Sequence, residues 1–151
     1  MSTSSFVLGP QEGETYDVGP FHIVARVLQS QSGGLFELFD LSLGVATIDY
    51  HVHHKMDETL CVVEGEIEFN VQGQKFLRPA GSVAFVPRGL HHGFSNLGPA
   101  PARVLITFTP PTGQHDYFRQ LEKLFASGSP DAKAIAALQK QYDQELVPLG
   151  T

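Results

Sequence analysis

The chain has 151 residues, of which 42% are hydrophobic and 17% charged, a globular composition with enough material for a core that needs no disulfide. Its net charge of −6 and the lack of any Lys/Arg cluster exclude the basic footprint of a nucleic-acid binder and argue against anionic membranes as partners. Cys61 is the single cysteine, so no disulfide closes within the chain, and its setting in Leu60-Cys61-Val62-Val63 reads as a buried small hydrophobe.

Residues Met1 to Ser5 are polar, with no charged start and no apolar stretch behind them, and no later run is long and apolar enough to span a bilayer. The expectation is a cytoplasmic protein without a targeting peptide. Residues 1–20 read as an irregular arm rich in Gly, Pro and polar residues. Runs with strand character follow at Phe21–Leu28, Phe36–Leu43, Val45–His53, Thr59–Glu64 and Glu66–Val71. In the last of these, Ile67, Phe69 and Val71 share one face and Glu66, Glu68 and Asn70 the other, an antiparallel pattern. Further runs are Gln74–Leu77, Ser82–Val86, His91–Ser95 and Ala102–Thr109, punctuated by turns at Gly73, Pro79-Ala-Gly81, Pro87-Arg-Gly89 and Leu97-Gly-Pro99. Short strands at regular spacing predict a sandwich or barrel, and a double-sheet jelly roll is one architecture that fits.

The periodicity changes after Pro111. Tyr117, Phe118, Leu121, Leu124 and Phe125 recur at helical spacing, and a second helix is expected from Ser129-Pro130-Asp131, with Ile135, Leu138 and Tyr142 on one face. These helices, within 114–145, are expected to cap a barrel over 21–110 or to pad a subunit interface, giving one domain over 1–151.

Five of the seven histidines lie between residues 51 and 92. On a strand, His51 and His53 point to the same side. The polar stretch His54-Lys55-Met56-Asp57 reads as a turn that carries Glu58 back beside them, and His92 comes after the Pro87-Arg88-Gly89 turn. Three imidazoles and a carboxylate suit a divalent transition metal ion, and leave room for water or substrate if the ion takes more than four ligands. His22, His54, His91 and His115 read as surface or structural histidines.

These residues resemble a known family. Gly44, His51-x-His53, Glu58 and Gly65 resemble the first cupin motif, with four residues between His53 and Glu58 and six between Glu58 and Gly65. Gly44 sits one residue further from the histidine pair than the motif has it. Gly81, Pro87, Gly89, His92 and Asn96 resemble the second motif at every spacing. The resemblance implies a mainly β fold, the cupin double-sheet jelly-roll β-barrel, here with two C-terminal α-helices. It implies one divalent metal ion per chain at His51, His53, Glu58 and His92, without discriminating among Fe, Mn, Ni, Co, Cu and Zn, and it implies a homodimer, for which the exposed edges of an open jelly roll supply a physical motive. A narrower similarity, carried by His51-Val-His53-His54-Lys-Met-Asp57-Glu58, by Val63-Glu64-Gly65-Glu66 and by the two-helix ending, is to small single-domain quercetin dioxygenase-like cupins.

Three functions fit. The first, which the narrower resemblance implies, is a dioxygenase-like oxidoreductase acting on a small aromatic or enolic substrate, with Glu58 as ligand and base; Leu60, Phe94 and Phe108 are expected to line its pocket. Core packing is the competing reading for each of those three. The second is an oxygen-independent isomerase, epimerase or cyclase using the same four donors. The third is a non-catalytic small-molecule binder; the acidic chain has no room for a DNA-binding helix-turn-helix before the barrel.

Overall fold

Along Ala102–Thr109, residues Ala102, Val104, Ile106 and Phe108 are buried and those between them are not. That period of two is what a strand needs when one face packs on a core and the other meets water. It recurs along Asp57–Glu64, where Glu58, Leu60 and Val62 turn inward, and along Glu66–Val71, where Ile67 and Phe69 do. A computed structural model describes residues 4–151 and assembles such strands into two antiparallel sheets.

In chain order the elements are β1 (Glu14–Val18), β2 (Phe21–Val27), β3 (Glu37–Leu43), β4 (Ala46–Val52), β5 (Asp57–Glu64), β6 (Glu66–Val71), β7 (Gln74–Pro79), β8 (Val83–Val86), β9 (His92–Asn96) and β10 (Ala102–Thr109). The helices α1 (Gln114–Ala126) and α2 (Ala132–Gln141) follow, and then the short strand β11 (Glu145–Leu146). One sheet runs β1-β2-β3-β10-β5-β8 and the other β11-β4-β9-β6-β7. The sheets are hydrogen-bonded separately, so the jelly roll is an open double-sheet sandwich and does not close into a continuous barrel. Among the described residues no helix is long and apolar enough to cross a membrane.

Between the sheets lie Phe39, Leu60, Val62, Ile67 and Val104, all fully buried. The chain passes from one sheet to the other between β5 and β6 at Gly65. Its φ is 76°, and a Cβ there would sit 2.6 Å from the Pro101 carbonyl oxygen, so no other residue fits this crossing. At one end of the sandwich α1 closes over the core: the Phe118 ring meets Phe39 edge-on at 4.9 Å, and Phe39 meets Phe108 edge-on at 6.0 Å, geometries that aromatic quadrupoles favour.

Three expectations need correction. Residues 1–20 are not an irregular arm throughout, because β1 pairs with β2 in register from Glu14↔Ala25 to Val18↔Phe21; residues 1–3 lie outside the described residues. Only Tyr16 and Val18 carry the inward alternation, a signal too short to stand out beside the glycines and prolines around it. At the other end the helical span stops at Gln141, and β11 pairs with β4 through Glu145↔Val52 and Leu146↔His51, a ladder too short to leave a periodic signature. Cys61 alternates with the buried Leu60 and so lies half-buried on the outer face of its sheet.

The attachment of α1 depends on a buried charge. Gly113, which precedes the helix, has no side chain to cap it. The carboxylate of Glu37, fully buried on β3, takes the cap's place: it accepts the Gln114 backbone N–H at 2.8 Å and a ring N–H of His115 at 2.7 Å. A negative charge at a helix N-terminus satisfies free N–H groups and complements the helix dipole. Glu37→Ala is expected to destabilise the fold by about 1–3 kcal/mol, the cost of leaving buried donors unsatisfied, and Glu37→Gln by less because its amide oxygen still accepts from Gln114. Urea unfolding of the three proteins measures both effects.

Candidate metal centre

His51 on β4 stands opposite His92 on β9. From the Ile48↔Phe94 pair to the His51↔His92 pair, β4 advances three residues and β9 two, so β4 carries a bulge at Asp49-Tyr50, a device that re-aims neighbouring side chains. Gly93 lets the strands come this close: a Cβ there would lie 2.7 Å from the Ile48 carbonyl oxygen. His53 follows directly on the end of β4. The turn His54–Met56 then brings the chain into β5, whose inward-facing alternation delivers Glu58 to the same space.

The tautomers follow from the backbone. The Nδ1 of His51 lies 2.6 Å from the Asp49 carbonyl oxygen, that of His53 2.6 Å from the Asp143 carbonyl oxygen, and that of His92 3.0 Å from the Leu90 carbonyl oxygen. A carbonyl oxygen only accepts, so each Nδ1 carries a proton and each Nε2 is turned inward to the shared space. The Nε2 atoms of His51 and His53 are 3.2 Å apart, and the Glu58 Oε2 lies 2.5 Å from His92 Nε2 and 3.3 Å from His53 Nε2. All four donor groups lie within 4.8 Å of one another, and every one is at most 3% exposed. With each Nδ1 committed outward, three Nε2 atoms and a carboxylate converge on one space, and a cation at their centre would satisfy them together. The donor set therefore fits a divalent transition metal ion.

The electrostatics agree with a cluster built around missing positive charge. Burial, with His92 and His53 close by, pushes the His51 imidazolium down to about 3, so the ring is neutral at physiological pH. Burial also works to lower His53, but hydrogen bonding to Glu58 and its charge outweigh this and raise it. Burial tends to raise Glu58, yet the neighbouring His92 and His53 hold its carboxyl well below the ordinary carboxylate range.

A cavity of about 210 Å³ opens from His51, His53 and Glu58. Ile48, Phe94, Ile106 and Phe108 wall it from the sheets, and Tyr117, Phe118, Ile135 and Gln139 from the helices. The Phe108 ring stands edge-on to His53 at 5.7 Å. His51, His53, Glu58 and His92 thus come together, and Phe94 and Phe108 lie on the cavity wall. Leu60 does not line it. Two residues along β5 from Glu58, it faces inward at a level the packed core already fills, and it is fully buried there. The other histidines stay outside the cluster: His22 pairs with Asp17, His54 with Glu145, His91 with the Thr151 hydroxyl and His115 with Glu37. Reading the sequence missed Gln139 and Gln144 on the cavity wall and every backbone carbonyl that orients a histidine. The helical stripe of Tyr117, Phe118 and Leu121 was the available signal that α1 closes this space.

A two-sheet jelly roll with three histidines and a glutamate buried at one end defines a class of small β proteins built around a metal-binding pocket. Residues 38–108 match the family model for the cupin domain, and the chain belongs to the cupin superfamily. Quercetin 2,3-dioxygenase of Bacillus subtilis (strain 168) is 33% identical over 92 residues, which are 59% of this chain and 27% of that protein. Tetracenomycin polyketide synthase protein TcmJ of Streptomyces glaucescens is 31% identical over 64 residues, 42% of this chain and 43% of that one. The chain therefore spans less than half the length of either relative. Among solved structures, KdgF from Halomonas sp. superposes with a TM-score of 0.63 at 23% identity, covering 72% of this chain and 94% of that one. The polyketide cyclase RemF from Streptomyces resistomycificus gives 0.62 at 16% identity, covering 70% and 80%. At these identities the structures speak for the fold alone.

His51→Ala is expected to abolish stoichiometric metal uptake, because it opens the donor set on the side facing His92, whereas His22→Ala, on the outer surface, keeps it. Mass-spectrometric metal analysis of the purified proteins reads the difference.

Proposed function

We propose that the protein is a metal-dependent dioxygenase that places both atoms of O2 in a small aromatic or enolic substrate, with His51, His53, Glu58 and His92 holding one divalent transition metal ion. The observation that carries this reading is the placement of the cluster at one end of a cavity whose other walls are mainly aliphatic and aromatic, with Thr47, Asp49, Gln139 and Gln144 among them. The similarity to a quercetin 2,3-dioxygenase supports it, over little more than a quarter of that protein's length.

The bound ion would supply Lewis acidity toward a substrate oxygen and, where it is redox-active, a path for electrons. The chain's own residues do the rest. The backbone-clamped imidazoles hold three nitrogen donors in place. Glu58 is ionised and borders the cavity, so its carboxylate is placed to accept the proton of an enol or phenol hydroxyl presented at the cluster. Its low proton affinity makes it a weak base, and a substrate hydroxyl acidified at the same centre reduces the demand on it. Phe94 and Phe108 offer surfaces to a planar ring. Tyr117 and Phe118 cover the cavity from α1 and exclude water.

Metal-loaded protein is expected to consume O2 with a flavonol or an enediol in an oxygen electrode, and Glu58→Gln to lose at least roughly 100-fold in rate, the lower end of what a positioned acid–base group contributes. Absence of O2 uptake with every such compound overturns the reading. Turnover under strict anaerobiosis would move the same donor set to a redox-neutral isomerase, epimerase or cyclase, and unchanged recovery of a tightly bound compound would make the protein a binding module.

The reading extends to a homodimer. Val83 and Phe85 are exposed on β8, the edge strand of the six-stranded sheet, and pairing of two copies would cover them. Size exclusion with light scattering is expected to give a dimer mass; a monomer alone removes the extension.

A further inference from the structure

Two of the three histidines are oriented locally. His51 and His92 each give their Nδ1–H to the carbonyl two residues earlier, on Asp49 and Leu90. His53 has no such partner. Its Nδ1–H goes to the carbonyl of Asp143, 90 residues further along the chain. Asp143 follows the end of α2 and has φ 61°, in the left-handed region that residues with a Cβ seldom occupy.

The side chain of Asp143 accounts for that conformation. Its Oδ1 accepts the His54 backbone N–H at 2.8 Å, and its Oδ2 accepts those of Lys55 and Met56 at 2.8 and 3.1 Å. One carboxylate thus gathers three successive N–H groups of the turn that joins His53 to Glu58, an anion held in a backbone nest. The same residue's carbonyl holds the imidazole at the start of that turn. Immediately beyond it, β11 pairs Glu145 with Val52 and Leu146 with His51, and the Val147 N–H donates to the Tyr50 carbonyl at 3.1 Å. The C-terminal segment is therefore in register with the strand that carries the histidine pair.

We propose that Asp143 is a positioning residue of the metal centre: its carbonyl aims the His53 Nε2 lone pair, and its carboxylate sets the 54–56 turn that places His53 and Glu58 relative to each other. This rests on the metal-binding reading of His51, His53, Glu58 and His92 and adds to it a residue that lies outside the matched cupin segment 38–108. A residue acting through a ligand in this way controls affinity and geometry at the ion, and removing such partners commonly weakens metal binding by roughly 10- to 100-fold.

The test is calorimetric titration of the metal-free full chain with Co(II), together with the visible spectrum of the Co(II) form, which reports coordination geometry. Asp143→Ala is expected to bind Co(II) roughly 10- to 100-fold more weakly than the wild type and to show an altered spectrum. Asp143→Asn keeps the tolerance for positive φ and one acceptor oxygen, so it is expected to fold and to fall between the two. Leu138→Ala removes a buried contact of α2, away from both the cluster and the cavity wall; it is expected to lower the unfolding midpoint while leaving Co(II) affinity and spectrum unchanged. Wild-type affinity and spectrum in both Asp143 variants overturn the proposal, as does a loss in Leu138→Ala equal to that in Asp143→Ala, which would make Asp143 a structural staple. A wild type that takes up no Co(II) overturns the metal reading itself and this one with it.

Discussion

Three imidazoles and a carboxylate meet, almost fully buried, at one end of the cavity, and the rest of the structure is arranged around that concentration of polar groups. Burying one unpaired polar group already costs on the order of 1–3 kcal/mol. Here His51, His53, Glu58 and His92 are buried together while their ring protons are committed to backbone carbonyls on the far side. Such a cluster is tolerable only when the surrounding frame over-determines it, and it is useful only when a cation occupies its centre. The local sheet geometry follows from that constraint: the bulge in β4, the glycine at 93 that lets β4 approach β9, and the turn that returns β5 to the same end of the sandwich.

How far this was legible in the sequence depends on the range of each signal. Strand alternation is local, so Ile67-x-Phe69 and the inward residues of β5 and β10 could be placed without coordinates. The spacing His51-x-His53 with Glu58 also survives translation into space, since one strand and one short turn leave few other arrangements. His92 could be joined to them through the second spaced motif. Leu60 shows where such reasoning stops. Alternation puts it on the inward face with Glu58, but it cannot say at which level along the strand the interior changes from cavity to packed core. β1 and β11 escaped because two inward residues, or two paired ones, do not make a period. Asp143 escaped for a different reason: one of its two functions belongs to a backbone carbonyl, which has no residue type to recognise, and its partner lies 90 positions away.

The helices illustrate how an accurate local reading can leave a role open. The stripe of Tyr117, Phe118 and Leu121 predicts a helix with one apolar face and leaves open whether that face caps the barrel or pads a subunit interface. In the structure it covers the mouth of the sandwich, and the buried carboxylate of Glu37 ties the start of α1 to β3. A charged residue fully buried on a core strand would be a liability by itself. Joined to a helix N-terminus and His115, it becomes the attachment point of the element that encloses the cavity.

The division of labour within the chain follows from these contacts. The segment that matches the cupin domain contains all four donor residues, so the chemistry of the cluster is contained in the jelly roll. Enclosure and orientation are so only in part. Tyr117, Phe118, Ile135 and Gln139 on the cavity wall and Asp143 behind His53 all come from the C-terminal part. A jelly roll with the same four donors and a different ending would present a cavity of another shape and a His53 with another partner, or none. Fold and donor set define what kinds of chemistry are available, and the residues after Thr109 complete the cavity wall and hold one of the three histidines.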